Sequence, residues 1–364
     1  MKLWRRVRFP VWKLLLVLAA VSVLTMAAAW MLSTEVRYLA RAAYEEARIL
    51  AKRRSLESLV SDTSVDPRLR SLFQLVLSAR SFAADSLDLV AGDTYTTFSE
   101  VGRDTLLLVL SASPKTALEP YLWRYPIVGS VPYKGFFDPR AAQQVVKRLE
   151  SHGYDTYLRP AGAFSTLGWF NDPLLSTALY EDAVSLVATV IHEIAHNTLY
   201  VSSATRFNES FALFVGYRGA EVFFRSRGDT ANARRAAAMW SDELELARFY
   251  EGLATALRHV YSQQLDGAEV LAERNRIFEA ARDSLAGSLG QRLATYSSAR
   301  LARRTLNNAS VIAARLYRTN LASFDLVFHE LDSDLRRTVA IIAATVRENA
   351  GIDPFQLVEE FESW

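Results

Sequence analysis

Three hydrophobic patterns run along this 364-residue chain. The first is an uncharged, mostly apolar run over residues 14–32, which as a helix at 1.5 Å per residue spans about 28 Å, close to a bilayer's hydrocarbon thickness. Lys2, Arg5, Arg6, Arg8 and Lys13 precede it. That charge excess predicts a transmembrane helix with a cytoplasmic N-terminus and everything after Ser33 carried across the membrane. A cleaved signal peptide ending near Ala27, Ala28 and Ala29 is the alternative. The length of the run and Trp30 at its outer edge favour a retained anchor.

The second pattern, residues 183–200, is apolar around nearly the whole helical circumference: Val184, Leu186, Val187, Val190, Ile191, Ile194, Ala195 and Leu199 leave no polar face, which predicts a helix buried on all sides. The third is amphipathic, with helical periodicity over 33–59, 66–84, 141–151, 231–264, 268–286, 297–318 and 335–350. Short strands are expected at 105–110, 125–131 and 154–158 from their β-branched or aromatic content and Gly/Pro punctuation. The pattern gives an α+β class, predominantly helical, with a small sheet beside the buried helix. The expected division is an anchor over residues 1–32 and one domain over 33–364, made of helices and sheet to 180, a helix pair over 181–226 and a helical part over 227–364.

The buried helix holds the chemistry. Two of the chain's five histidines, His192 and His196, flank Glu193 in it as His-Glu-Ile-Ala-His. Residues i and i+4 share a helix face, so both imidazoles can bind one Zn²⁺, with Glu193 as general base toward a water. Unpaired, those groups would cost roughly 1 to 3 kcal/mol each in an apolar setting, and a metal satisfies them together. Catalytic zinc takes three protein ligands and keeps one open position. If the helix ends near Ser202 and Ser203 and the next segment, through Phe223, returns beside it, Glu209 falls in that segment's first turn and faces the histidines. Glu221 is the fallback, but twelve residues at 1.5 Å place it about 18 Å from Glu209, so only one of the two can reach the pair.

The run Asn208-Glu209-Ser210-Phe211-Ala212 resembles the Asn-Glu-Gly-Phe-Ala element that supplies the glutamate ligand in gluzincin aminopeptidases. Over about residues 36 to 350 the chain resembles a bacterial family of predicted zinc aminopeptidases. The resemblance runs through Tyr125-Pro126-Ile127-Val128-Gly129, Pro132-Tyr133-Lys134-Gly135-Phe136-Phe137, Phe164-Ser165-Thr166-Leu167-Gly168-Trp169-Phe170, Asp172-Pro173-Leu174-Leu175-Ser176 and Leu306-Asn307-Asn308-Ala309. It implies a zincin-like core and zinc peptidase activity on peptides or proteins, with one zinc per chain. Together with the apolar run and the cations before it, this gives an expected bacterial inner-membrane location, single pass, with the catalytic domain periplasmic or extracellular. The chain departs from the family at Phe164, where Tyr is usual, near Tyr44, where a Gly is usual, and in lacking a lipid-modified Cys.

Around the zinc ligands, Tyr317 is the leading candidate to stabilise an oxyanion, with Tyr200, Tyr217, His259 and His329 behind it. Asn307 and Asn308 are expected to bind substrate backbone, or else to cap or tie helices. Asn208 is expected to orient Glu209 or a substrate group. Glu221 and Asp172 are eligible to receive a substrate α-amine. Two other readings stay open, a zinc endopeptidase and a membrane-tethered scaffold with structural zinc. Cysteine is absent, which excludes disulfides and thiolate metal sites. The formal charge of +2 includes the five N-terminal cations, so the remainder carries −3 and offers no concentrated basic face for nucleic acid.

Overall fold

Short polar residues set where helices begin in the computed structural model, which describes residues 12, 15–21, 25, 31, 33–125, 129–161, 173–179 and 182–361. The chain divides into two compact units, Met1–Lys52 and Arg53–Trp364. In the first, α1 (Thr34–Ala51) starts where Ser33 Oγ accepts the Val36 N–H, and Glu45 pairs with Arg41 and Arg48 at 2.6 and 2.9 Å.

The second unit opens with β1 (Arg54–Ser55), α2 (Leu56–Ser61) and α3 (Pro67–Asp85), whose start combines an Asp66 cap with proline at the first helical position. Next come β2 (Thr97–Ser99), β3 (Leu107–Pro114), β4 (Trp123–Tyr125), β5 (Gly129–Val131), β6 (Lys134–Phe136), α4 (Pro139–Ser151), β7 (Tyr154–Ala161) and β8 (Leu174–Leu175). The rest is helical: α5 (Ala183–Thr198), α6 (Thr205–Ser226), α7 (Thr230–Tyr261), α8 (Gly267–Ala286), α9 (Ser288–Arg292), α10 (Ser298–Ala302), α11 (Asn308–Arg315), α12 (Leu321–Glu330), α13 (Leu335–Glu348) and α14 (Pro354–Glu359).

The strands form small sheets in the orders β1-β2-β8, β6-β3-β7 and β4-β5. In the central one β7 runs antiparallel to β3, with Arg159 opposite Val109 and Asp155 opposite Ser113. Side chains alternate along β7: Tyr154 and Leu158 join the cluster under α4, which places Asp155, Tyr157 and Arg159 on the opposite face. Among the described residues β7 has one strand neighbour, so it is an edge.

The core is built around α5, where Val184, Leu186, Val187, Val190, Ile191, Ile194 and Ala195 are all buried. Its partner α6 comes unusually close. A Cβ on Gly216 would sit 2.7 Å from the Ala188 carbonyl oxygen and 3.2 Å from His192 Cβ, and one on Gly219 would sit 2.9 Å from Ile191 Cγ2. The two glycines therefore set the separation of these helices. On its far side α6 presents Phe207, Phe211 and Phe214 to Phe324 of α12, with ring centroids 5.7 to 6.1 Å apart.

The class is α+β and predominantly helical, as the pattern implies, but one expectation is contradicted. No helix among the described residues is long and apolar enough to cross a membrane. Within the stretch 14–32 the described residues are 15–21, 25 and 31. The rest of the stretch lies outside the described residues. The transmembrane anchor, the membrane as a partner through residues 14–32 and the single-pass inner-membrane location are accordingly withdrawn.

Gly216→Ala should lower stability by about 1 to 3 kcal/mol, because backbone must move to admit the methyl group. Gly252→Ala, on α7 with nothing within 4 Å of the new Cβ, should instead be neutral or stabilising by up to about 1 kcal/mol. Urea unfolding of both variants reads the contrast; equal shifts would contradict the close-approach argument.

Candidate metal centre

The candidate ligands come from α5 and α6, and the loop between those helices decides where they meet. Helix α5 ends at Thr198, earlier than Ser202, because Leu199 is already extended. Asn208 then grips the loop: its Oδ1 accepts the Val201 N–H at 2.9 Å and its Nδ2 donates to the Val201 carbonyl at 2.8 Å. Ser203 takes a left-handed conformation, φ 65°, to close the turn. No side chain caps α6, so this buried amide takes over in fixing its start. Glu209 follows as the fifth residue of α6, one step beyond its first turn.

His192 Nε2 and His196 Nε2 lie 3.2 Å apart, and Glu209 Oε2 is 3.5 and 4.0 Å from them. All three side chains are partly buried, and together they form a group that could hold a metal ion. Two ligands of a tetrahedral zinc, each bonded at ~2.0 to 2.1 Å, stand roughly 3.3 Å apart, so the histidine pair and the shorter Glu distance match that geometry and the longer one is somewhat wide. Three atoms that all carry lone pairs converge here, an arrangement that a cation resolves. The residues fit the ion.

The two rings differ in protonation. Burial pushes His192 down, but the hydrogen bond it donates to Glu209, the charges of Glu193 and Glu209 and a hydrogen bond to the Ala212 backbone outweigh it and hold the ring above its ordinary value. Because Nε2 faces His196 and Glu209, the Ala212 bond falls to Nδ1–H, and a cation binding at Nε2 would displace the proton that this atom shares with Glu209. His196 is pushed down to about 4 by burial and by His192, against the pull of Glu209, and is neutral at pH 7. Its Nδ1 is buried without a partner among the described residues. For Glu209, burial alone would raise the carboxyl, yet His192, His196 and Arg159 hold it below the usual range.

Tyr317 comes to this site through α6. The Thr319 N–H donates to Ser210 Oγ at 3.1 Å, which ties the segment after α11 to the residue next to Glu209. Burial and the Glu209 charge raise the Tyr317 phenol well above its ordinary value, while Arg159 opposes them. The adjacent Arg318 is anchored on buried Glu243 at 2.6 Å, and Tyr296 OH donates to the same carboxylate at 2.6 Å. Arg159 and Tyr133 thus belong to the surroundings of the site, and sequence reading missed both. Arg159 was hidden because the strand was expected to stop at Leu158.

The other candidates are elsewhere engaged. Asn307 caps α11 and donates to the Thr156 carbonyl at 2.9 Å. Asn308, fully buried, accepts from Tyr261 OH at 2.8 Å and donates to the carbonyls of Pro114 and Ala117 at 2.8 and 3.1 Å, which uses both of its amide protons. Both tie α11 to the sheet. Glu221 pairs with Arg218 at 2.9 Å and with Arg225. Tyr200 is exposed, Tyr217 packs on the core near Glu243, and His259 and His329 bond to Gln263 and Ser333 on the surface. Asp172 and the run 164–172 lie outside the described residues.

The chain matches the model of a family described as "Putative aminopeptidase" over residues 37–350, and it belongs to that family. Membership sets it among peptidases, with peptide as the class of substrate. No curated protein and no solved structure matches it.

Asp182 starts α5: its carboxylate accepts the Ser185 N–H at 3.2 Å and hydroxyl at 2.6 Å, and Arg235 Nε at 3.1 Å. Burial raises this carboxyl, but the Ser185 and Arg235 contacts outweigh it and set the folded value below that of an ordinary aspartate. A depressed carboxyl stabilises above its unfolded pKa and loses that contribution as pH falls through the folded one. Asp182→Ala should therefore cost about 1 kcal/mol at pH 7, with the difference from wild type shrinking below about pH 4. Denaturant unfolding at pH 7 and pH 3 checks this; a pH-independent difference would contradict it.

Proposed function

We propose that the protein is a zinc-dependent aminopeptidase in which His192, His196 and Glu209 hold one zinc. The observation that carries the reading is the convergence of these three side chains within bonding geometry of one ion, in a chain of an aminopeptidase family. When bound, zinc supplies Lewis acidity toward water and a carbonyl oxygen. Glu193, on the same turn as His192, takes the proton of the attacking water and delivers it to the leaving amine. Tyr317, with Arg159 beside it, donates to the oxygen that becomes negative as the scissile carbonyl is attacked.

The β7 edge suits an extended substrate. The Thr156 carbonyl that Asn307 takes points away from β3, and Leu158, two residues on, offers its own N–H and C=O on the same side. A peptide adding there as a strand would run past Arg159 toward the ligand cluster. A scaffold with structural zinc is disfavoured by the ligand count: a closed structural site takes four protein ligands, and the cluster has three among the described residues.

Purified full-length protein and its Glu193→Gln variant should each carry about one zinc per chain by elemental analysis, while hydrolysis of aminoacyl and short peptide substrates falls by about 10²- to 10⁴-fold in the variant. Turnover retained by a zinc-loaded Glu193→Gln protein would remove the general base. Competition with a chelating dye should show that Glu209→Ala weakens zinc binding at least about tenfold and that Glu221→Ala leaves it unchanged. The reverse result would move the third ligand to Glu221.

A further inference from the structure

Apart from the ligand cluster, the second unit carries a polar cleft of about 400 Å³ between α8, the segment leading into α11 and the turn after β3. Four cations line it, Lys115, Arg274, Arg282 and Arg304, against two carboxylates, Asp155 and Glu279. One pair is internal to the fold. Arg274 and Asp155 are both buried and bonded to each other, and Asp155 also accepts the Asn308 N–H at 3.0 Å.

The other three cations are different. Arg282 donates to the Leu306 carbonyl at 3.2 Å and Arg304 lies 5.9 Å over the Tyr296 ring. Among the described residues neither they nor Lys115 forms an ion pair. They arrive from three separate segments, so no single helix face explains their meeting. Like charges converging in a concave polar site repel one another, and the walls focus their field outward, which raises the local concentration of anions. Three cations against the one remaining carboxylate, Glu279, call for a ligand with at least two negative charges and several acceptor oxygens. The planar guanidinium forks suit a tetrahedral oxyanion.

We propose that this cleft binds a phosphate group, free or as a phosphoester, through Lys115, Arg282 and Arg304. The site is independent of the metal centre and of the peptidase reading.

Calorimetric titration of the full chain with inorganic phosphate, pyrophosphate and glycerol 3-phosphate, at ionic strength matched with sodium chloride, tests it. Saturable binding of one of these, weakened at least about tenfold when Lys115, Arg282 and Arg304 are all changed to Gln, is the expected result. Which compound binds tightest separates free from esterified phosphate. Phosphate that merely ligates a metal at His192 and His196 would survive the triple substitution, so unchanged binding in that variant overturns the proposal. Absence of saturable binding by folded wild-type protein overturns it equally. Arg304→Gln alone, at an exposed position, gives the same reading if the triple variant does not fold.

Discussion

Everything at the candidate site depends on how closely two helices approach. Gly216 and Gly219 let α6 lie against Ala188, His192 and Ile191 of α5 with no room for a methyl group. A wider spacing would leave Glu209 out of reach of the two imidazoles, since a carboxylate side chain cannot make up for several ångströms of backbone displacement. Asn208 supplies the second half of the constraint by fixing the loop that turns the chain back. The stack of Phe207, Phe211 and Phe214 on Phe324 then seals the opposite face of α6, so the helix is clamped from both sides.

Polar networks extend this clamp. Arg218 donates to Asp325 at 2.5 and 3.1 Å, and Trp240 Nε1 reaches the same oxygen at 2.8 Å, so α6, α7 and α12 share one half-buried anchor. Glu221 belongs to that network through Arg218, which is why a carboxylate on an apolar helix has a structural role here. A second anchor joins α7 to the segment carrying Tyr317 through Glu243, Arg318 and Tyr296. Glu221 and Glu243 are buried, so removing their arginine partners would strand a carboxylate away from water, which costs more than the pair contributes.

The parts of this structure legible in the sequence are those governed by local rules. Helices α3, α7, α8 and α13 begin within a residue or two of where they were expected, because Asp66, Asp229, Asp266 and Asp334 cap them through short local bonds. The His-Glu-x-x-His helix was legible for the same reason, being a periodic pattern on a single element. What was not legible depended on distant partners. The expected helix over 297–318 is broken because Asn307 adopts an extended backbone and binds Thr156, 151 positions away. Helix α12 was missed, and its start is marked by Asn320 in a left-handed conformation, φ 50°. Pro160 read as the end of a strand, yet on an edge its missing N–H faces away from β3, so β7 continues to Ala161 and brings Arg159 along. The transmembrane reading rested on residues 14–32 alone and found no matching helix among the described residues.

The central claim is that α5 and α6 together hold one zinc with an open position. X-ray absorption at the zinc edge of the metal-loaded full-length protein tests it most directly. The account predicts four-coordinate zinc with two imidazole nitrogens and light oxygen ligands at about 2.0 to 2.1 Å, with the imidazole scattering reduced in His196→Ala. Zinc without imidazole scattering, or with a spectrum unchanged in that variant, would contradict it.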